Sequence, residues 1–173
     1  QDKKVKVISI KKNLGYGHGI KKGLKEVESD LVLLNHADLQ FDPHSFFLSN
    51  LPNLLKLNEP LNILPQRFNR PLMDRMSSAF LRFLLSILYF HKMSDFNGQP
   101  KLFFIKKIKN IGTLPDNFCI DLALYSLSKG QSITLPIIQR DRHSGKSSWN
   151  TDFIKRIKIF LQYLLYAIQK RKK

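Results

Sequence analysis

The residues of this chain best suited to chemistry stand in the run His36-Ala37-Asp38-Leu39-Gln40. Side chains two apart on an extended segment point to the same side, so an imidazole, a carboxylate and an amide oxygen are expected to face one point. That donor set suits a divalent cation of the Mg or Mn type with positions left open for phosphate oxygens. The same residues equally suit a polar loop that caps the next helix, with His36 a half-buried imidazole. Upstream, Asn13–Gly19 carries Gly15, Gly17 and Gly19. Such a loop can cradle a phosphate or make a tight strand-to-helix turn, and it lacks the spacing of a P-loop or a dinucleotide fingerprint. Arg67, Arg70 and Arg75 follow one expected strand and open an expected helix, where an anion is welcome, although a solvated face reads the same way. Asp121 interrupts the apolar stretch Phe118–Leu124. A carboxylate there is either a poised base or an ion-paired structural acid. The basic, Ser-rich run from Arg142 through Gly145 and Lys146 to Trp149 suits a loop that closes over a diphosphate, or a plain surface loop.

These groups need elements to position them. Val5, Val7, Ile8 and Ile10 predict a short, mostly buried strand over 4–10. A helix follows to about Glu28, and the apolar run within Asp30–Asn35 predicts a buried parallel strand. Pro43 opens an expected helix over 43–57, and 61–64 reads as another strand. Residues 72–92 form the strongest helical pattern, with Leu72, Met76, Phe80, Phe83, Leu84, Ile87 and Leu88 expected on one core-facing side. Strands over 101–105 and 132–138 enclose a helix over 117–128 that Gly130 would stop, and an amphipathic helix over 152–169 ends the chain. Alternating strands and helices predict an α/β domain with a largely parallel sheet, which binds ligands beyond the C-terminal ends of its strands.

Composition bounds the function. The chain has 173 residues, 43% apolar and 24% charged, enough for one domain with a sizeable core. Its one cysteine, Cys119, excludes an internal disulfide framework and a zinc-binding cysteine cluster. The net charge is +16, and the ends hold nearly all of it: eight lysines against one acid in residues 1–25, and seven basic residues with no acid in 153–173. Phosphates of a nucleic acid or an anionic membrane surface would both attract such ends. A basic nucleic-acid-binding module is the weaker reading, because no helix-turn-helix, aromatic RNA-binding strand motif or zinc finger is evident; no nucleic-acid partner is expected.

The order of the blocks is more specific than any one of them. The run from Asn13 to Gly23, then Asp30 to Pro43, Arg67, Arg75, the Asp95–Pro100 turn, Asp121, and the loop with Arg142, Gly145, Lys146 and Ser147 resembles a family 2 glycosyltransferase over about residues 5–150. The dolichol-phosphate-mannose-synthase-like members are the most similar. The resemblance implies a GT-A type, Rossmann-like α/β/α sandwich and inverting, metal-dependent transfer of a sugar from a nucleotide-sugar to a polyprenyl phosphate or glycan acceptor. It places Asp38 on the second acid of the family's Asp-x-Asp metal motif, Gln40 on the glutamine after it, and His36 where the first acid usually stands, giving His36, Asp38 and Gln40 as ligands of Mg or Mn. It assigns Gly15, Gly17, Arg67, Arg75, Arg142 and Lys146 to donor or phosphate binding, and Asp38 and Asp121 to catalysis.

The resemblance also predicts that the chain is N-terminally incomplete. No Pro-x-Tyr-Asn-Glu-like turn and no Asp-Asp-Gly-Ser segment precedes Val5, so residues 1–173 alone are expected to be inactive. Together with His36, this keeps a catalytically silent glycosyltransferase-like protein as the alternative. Domain boundaries are expected at 1–150 for a partial glycosyltransferase domain and 151–173 for a basic amphipathic helix. Phe153, Ile157, Phe160, Leu161, Leu164 and Ile168 share one face of that helix, which either packs on the sheet or lies on a membrane. Peripheral membrane contact, at the cytoplasmic face of the cell membrane, is the expectation.

Overall fold

The computed structural model describes residues 5–44, 46, 48, 62–127, 132–140 and 153–171. Arg142, Lys146, Gly130 and most of the expected helix over 43–57 lie outside them. In chain order the elements are α1 (Tyr16–Lys25), β1 (Leu31–Leu34), β2 (Asn62–Phe68), α2 (Leu72–Tyr89), β3 (Lys101–Phe104), α3 (Cys119–Ser126), β4 (Ser132–Ile138) and α4 (Phe153–Arg171).

The four strands form one sheet in the order β1-β3-β2-β4. β3 runs antiparallel to both neighbours, with Leu31 opposite Phe104 and Ile63 opposite Leu102, whereas β2 and β4 pair in parallel from Asn62–Ser132 to Phe68–Ile138. The sheet is therefore mixed rather than largely parallel. β1, β2 and β4 point the same way, as the strand–helix alternation predicts, but β3 is inserted between them in the opposite sense. β1 consequently pairs antiparallel, not parallel.

Alternation along the strands splits the apolar residues between two faces. Leu64 packs with Leu81, Leu85, Leu122 and Tyr163 beneath α2, α3 and α4, while Val32 and Phe103 pack with Leu24, Ile120 and Leu124 beneath α1 and α3. Ile63 and Leu102 turn to the other face, against Phe46. Apolar residues are buried on both faces, consistent with a GT-A Rossmann-like domain. Helix α3 is the hub: every residue from Cys119 to Tyr125 is buried. Its carbonyl at Leu124 accepts from Asn62 Nδ2 at 3.0 Å, which ties it to β2.

Two expectations about exposure are corrected. Residues 5–10 form no strand and are exposed, because Val5 and Val7 have no neighbouring strand to pair with among the described residues. Most of the expected core face of residues 72–92 is turned outward: Leu72, Met76, Phe80, Phe83 and Ile87 are exposed, Leu84 is half-buried, Leu88 packs partly against the core, and the buried residues are Leu81 and Leu85. The inward side of α2 also carries Asp74 and Ser78, which border a polar cavity, so the hydrophobic periodicity is stronger on the side away from the core. α4 divides likewise. Tyr163 and Ala167 are buried, Phe160 and Leu164 pack partly against them, and Phe153, Ile157, Leu161 and Ile168 remain exposed. α2 ends at Tyr89, where Phe90 takes a left-handed conformation with φ 55°.

Candidate active site

A cavity of about 400 Å³ opens where β1, β2 and β4 end. His36 follows β1, Arg67 lies near the end of β2, and Gln139 and Arg140 follow β4. Ligand sites in α/β sheets collect at such strand ends. Asp74 and Ser78 of α2, Asp121 of α3, and Arg156 and Tyr163 of α4 complete the wall, with Tyr16 from α1 and Gln99 from the loop before β3.

The cationic end of the cavity is held by a buried acid. Arg67 donates to Asp95 through Nε at 2.7 Å and Nη2 at 2.9 Å, a two-point geometry that fixes the guanidinium plane. Arg70 Nη1 stands 3.9 Å from the same carboxylate. Burial alone would raise the Asp95 carboxyl, but the charge and hydrogen bonds of Arg67, with Arg70 behind them, hold it below the ordinary carboxylate range. One acid thus serves two arginines. Burial, and then the neighbouring Arg67 charge, push the Arg70 guanidinium down to about 10. A phosphate placed at Arg70 would relieve that repulsion. Arg156 Nη2 reaches Asp74 Oδ1 at 3.4 Å, and with Arg140 it brings the arginines of the wall to four.

At the other end lies a network around Tyr16. Its hydroxyl accepts from Gln99 Nε2 at 3.3 Å and meets His36 Nε2 at 3.0 Å. Its ring stacks on Phe118 at 5.1 Å between centroids. Burial, then the neighbouring Asp121 charge, raise the phenol far above its ordinary value, so it stays protonated. Asp121 itself is ion-paired with Lys101, and both are buried. Burial lowers the Lys101 ammonium, against the opposing pull of Asp121. Of the two roles open to Asp121, the ion-paired one is therefore realised, on the wall of the cavity.

The metal candidates divide. His36 and Gln40 line the cavity, and His36 Nδ1 stands 4.0 Å from Asp38 Oδ2. The segment is not extended as expected. Leu39 has φ 58°, and Asp38 Oδ1 accepts the backbone N–H of Gln40 at 3.2 Å in a tight turn, so simple alternation does not bring the three side chains together. His36 and Asp38 are of residue types that could offer a divalent cation two ligands. Among the described residues, no group of three or more His, Cys, Asp and Glu side chains converges.

Of the remaining candidates among the described residues, Gly15, Gly17 and Arg75 lie apart from the wall. A Cβ on Gly17 would sit 2.3 Å from the Pro115 carbonyl oxygen, and one on Gly15, at φ 114°, would sit 2.6 Å from that of Asp116. Both glycines therefore serve the close approach of α1 to the 115–117 segment. His18 Nδ1 and Lys21 Nζ close that contact on Asp116 at 3.1 and 2.7 Å. Arg75 is exposed on α2 and does not line the cavity. Tyr16, Gln99, Lys101, Arg140 and Arg156 were not singled out by sequence. Arg156 had a signal, since it is the one charged residue on the buried stripe of α4, in step with Tyr163 and Ala167.

Compared with protein-family models, residues 1–112 match Glycosyl transferase family 2. The match takes in His36, Asp38, Gln40, Arg67 and Arg75 and stops short of Asp121. No curated protein matches the chain. With about two thirds of the sequence under the family match, and His36, Gln40 and Arg67 from within it on the wall of one cavity, the chain belongs to glycosyltransferase family 2, whose reaction is sugar transfer from a nucleotide-sugar to an acceptor.

Proposed function

We propose that this cavity transfers a sugar, with inversion, from a nucleotide-sugar to a polyprenyl phosphate, in the manner of the dolichol-phosphate-mannose-synthase-like members of the family. The observation that carries the reading is the convergence of His36, Gln40, Arg67 and Asp121, residues from three separate sequence blocks, on one cavity whose other wall is rich in arginine. Arg67 and Arg70 hold phosphate oxygens, oriented by Asp95. Arg140 and Arg156 offer a second set of donors across the cavity, so two phosphate groups can be held at once, one on the donor and one on the acceptor. A divalent cation, Mg or Mn, held by His36 and Asp38 with Gln40 beside them, supplies neutralisation of the leaving diphosphate when bound. Asp121, fixed by Lys101, and Tyr16, fixed by His36 and Gln99, orient the sugar and the attacking oxygen. A phosphate acceptor is already an anion, so the reaction needs no strong base. The apolar side chains of Phe118, Ile159 and Phe160 on the wall limit water beside the sugar, which favours transfer over hydrolysis.

In this reading the acceptor comes from a membrane, and the basic helix α4 makes peripheral contact with its cytoplasmic face. Calorimetric titration of a nucleoside diphosphate tests the site. The protein expressed from its complete coding sequence should bind in a Mn-dependent way, Asp38→Ala should lose that dependence, and His36→Asp should retain or strengthen it. Metal-independent binding that Asp38→Ala leaves unchanged would remove the assignment.

A further inference from the structure

Helices α2 and α4 lie side by side and run the same way. Asp74 meets Arg156, Phe80 stacks on Phe160 at 5.7 Å, and the Arg171 guanidinium covers Phe90 at 4.6 Å. Leu81 and Leu85 of one helix share a core with Tyr163 and Ala167 of the other. Half a turn away from that core, α2 presents Met76, Phe80, Phe83 and Ile87. At the same place α4 presents Ile157, Leu161, Leu165 and Ile168. Each of these eight is between 40% and 60% exposed. Scattered exposed apolar residues are ordinary, but two adjoining stripes at helical spacing are not.

The charges around the stripes select what covers them. Every exposed charged residue of the two helices is cationic: Arg75 on α2, and Lys155, Lys158, Lys170 and Arg171 on α4. The single acid, Asp74, points inward to Arg156. Two copies of this face would set like charges against each other, whereas anionic headgroups over hydrocarbon match both its rim and its centre. Among the described residues no helix is long and apolar enough to cross a membrane, so the two would lie in the interface plane.

We propose that the outward faces of α2 and α4 together form one bilayer-contact surface, with Phe80, Phe83 and Ile87 at the boundary between headgroups and acyl chains. This deepens the membrane-contact reading above and rests on it, adding α2 as an inserting element. The inner faces of the same two helices line the cavity through Asp74, Ser78, Arg156 and Phe160. A lipid-borne phosphate would therefore meet the cavity along the surface that holds the protein to the lipid.

The test uses the whole chain with vesicles of phosphatidylcholine mixed with phosphatidylglycerol, against phosphatidylcholine alone. Phe83→Trp combined with Trp149→Phe makes the indole at position 83 the only one. The expected result is flotation with the anionic vesicles, a blue shift at position 83 and quenching by brominated acyl chains. Phe83→Ser/Ile87→Ser, at exposed sites that leave the fold intact by circular dichroism, should weaken vesicle binding about tenfold. Absence of all vesicle binding overturns both the membrane reading and this surface. Binding without a spectral change at position 83, or with full affinity in the serine variant, overturns the role of α2 alone. A blue shift that grows with protein concentration in the absence of lipid overturns it in favour of self-association.

Discussion

Replacing Lys101 by Met should be among the most damaging single changes in this protein. The Lys101 and Asp121 side chains are 3% and 6% exposed, and the ammonium and carboxylate bond directly. Lys101→Met conserves length and apolar packing but leaves the Asp121 carboxylate buried beside the protonated Tyr16, with its main compensating charge gone. Breaking a buried pair from one side costs about 3–5 kcal/mol. For a chain of this size that corresponds to a fall in melting temperature of roughly 6–20 °C. The double variant Lys101→Met/Asp121→Leu removes both charges, and replacement of a buried pair by apolar residues is commonly neutral or stabilising by about 1–4 kcal/mol. Urea unfolding followed by circular dichroism supplies the cycle. The expected pattern is a severe single variant rescued by the double, with a coupling energy of several kcal/mol. A Lys101→Met protein within about 1 kcal/mol of wild type, the level of an exposed pair, would refute the burial argument. The double variant should nevertheless lose sugar transfer, because the carboxylate on the cavity wall is gone.

Asp95 sets an acid limit on stability. Its folded-state value lies below the ordinary one, so its contribution is present above about pH 4 and is lost as pH falls through the folded value. Melting curves should show Asp95→Asn less stable than wild type at pH 7 but losing less stability between about pH 5 and 3; parallel pH profiles would contradict this. The glycines of the first loop separate by geometry. Gly17→Ala drives a Cβ into backbone oxygens and should destabilise by roughly 1–3 kcal/mol, whereas Gly19→Ala meets nothing within 4 Å inside a helix and should stabilise by about 0.4–1 kcal/mol. Equal melting temperatures for the two variants would show that the 115–117 segment yields.

Among the described residues, the strands and helices after residue 60 were legible because their apolar runs and turn residues mark them plainly: β4 matches its expected span, and α2 and α4 differ by only a few residues at their ends. Orientation was less legible. Leu72, Met76, Phe80 and Phe83 keep helical spacing on whichever side they lie, and periodicity alone cannot tell a core face from one left exposed. The inward side of α2 was hidden because Asp74 and Ser78 serve a polar cavity and dilute its hydrophobic signal. Strand pairing was misread at β3, since alternation with helices says nothing of an antiparallel insertion between codirectional strands. In the site, Arg67 and Asp121 were found because charge after a strand or inside an apolar helix is conspicuous. Gln99 and Tyr16 have residue types that fit anywhere, and only the fold brings them to the cavity, whereas the charge of Arg156 on the buried stripe of α4 was a signal left unread. The Asp38 turn was missed because the left-handed conformation of Leu39 leaves no mark in residue type.

The central claim is that the cavity at the ends of β1, β2 and β4 carries out sugar transfer. Its most direct test is release of nucleoside diphosphate from nucleotide-sugars, measured with a polyprenyl phosphate acceptor and Mn²⁺ on protein expressed from its complete coding sequence. The predicted result is release that requires both acceptor and cation and falls by about 100-fold or more in Asp38→Ala while the fold is retained. Acceptor-dependent release that survives Asp38→Ala and Asp121→Asn undiminished would place the reaction elsewhere and contradict the account.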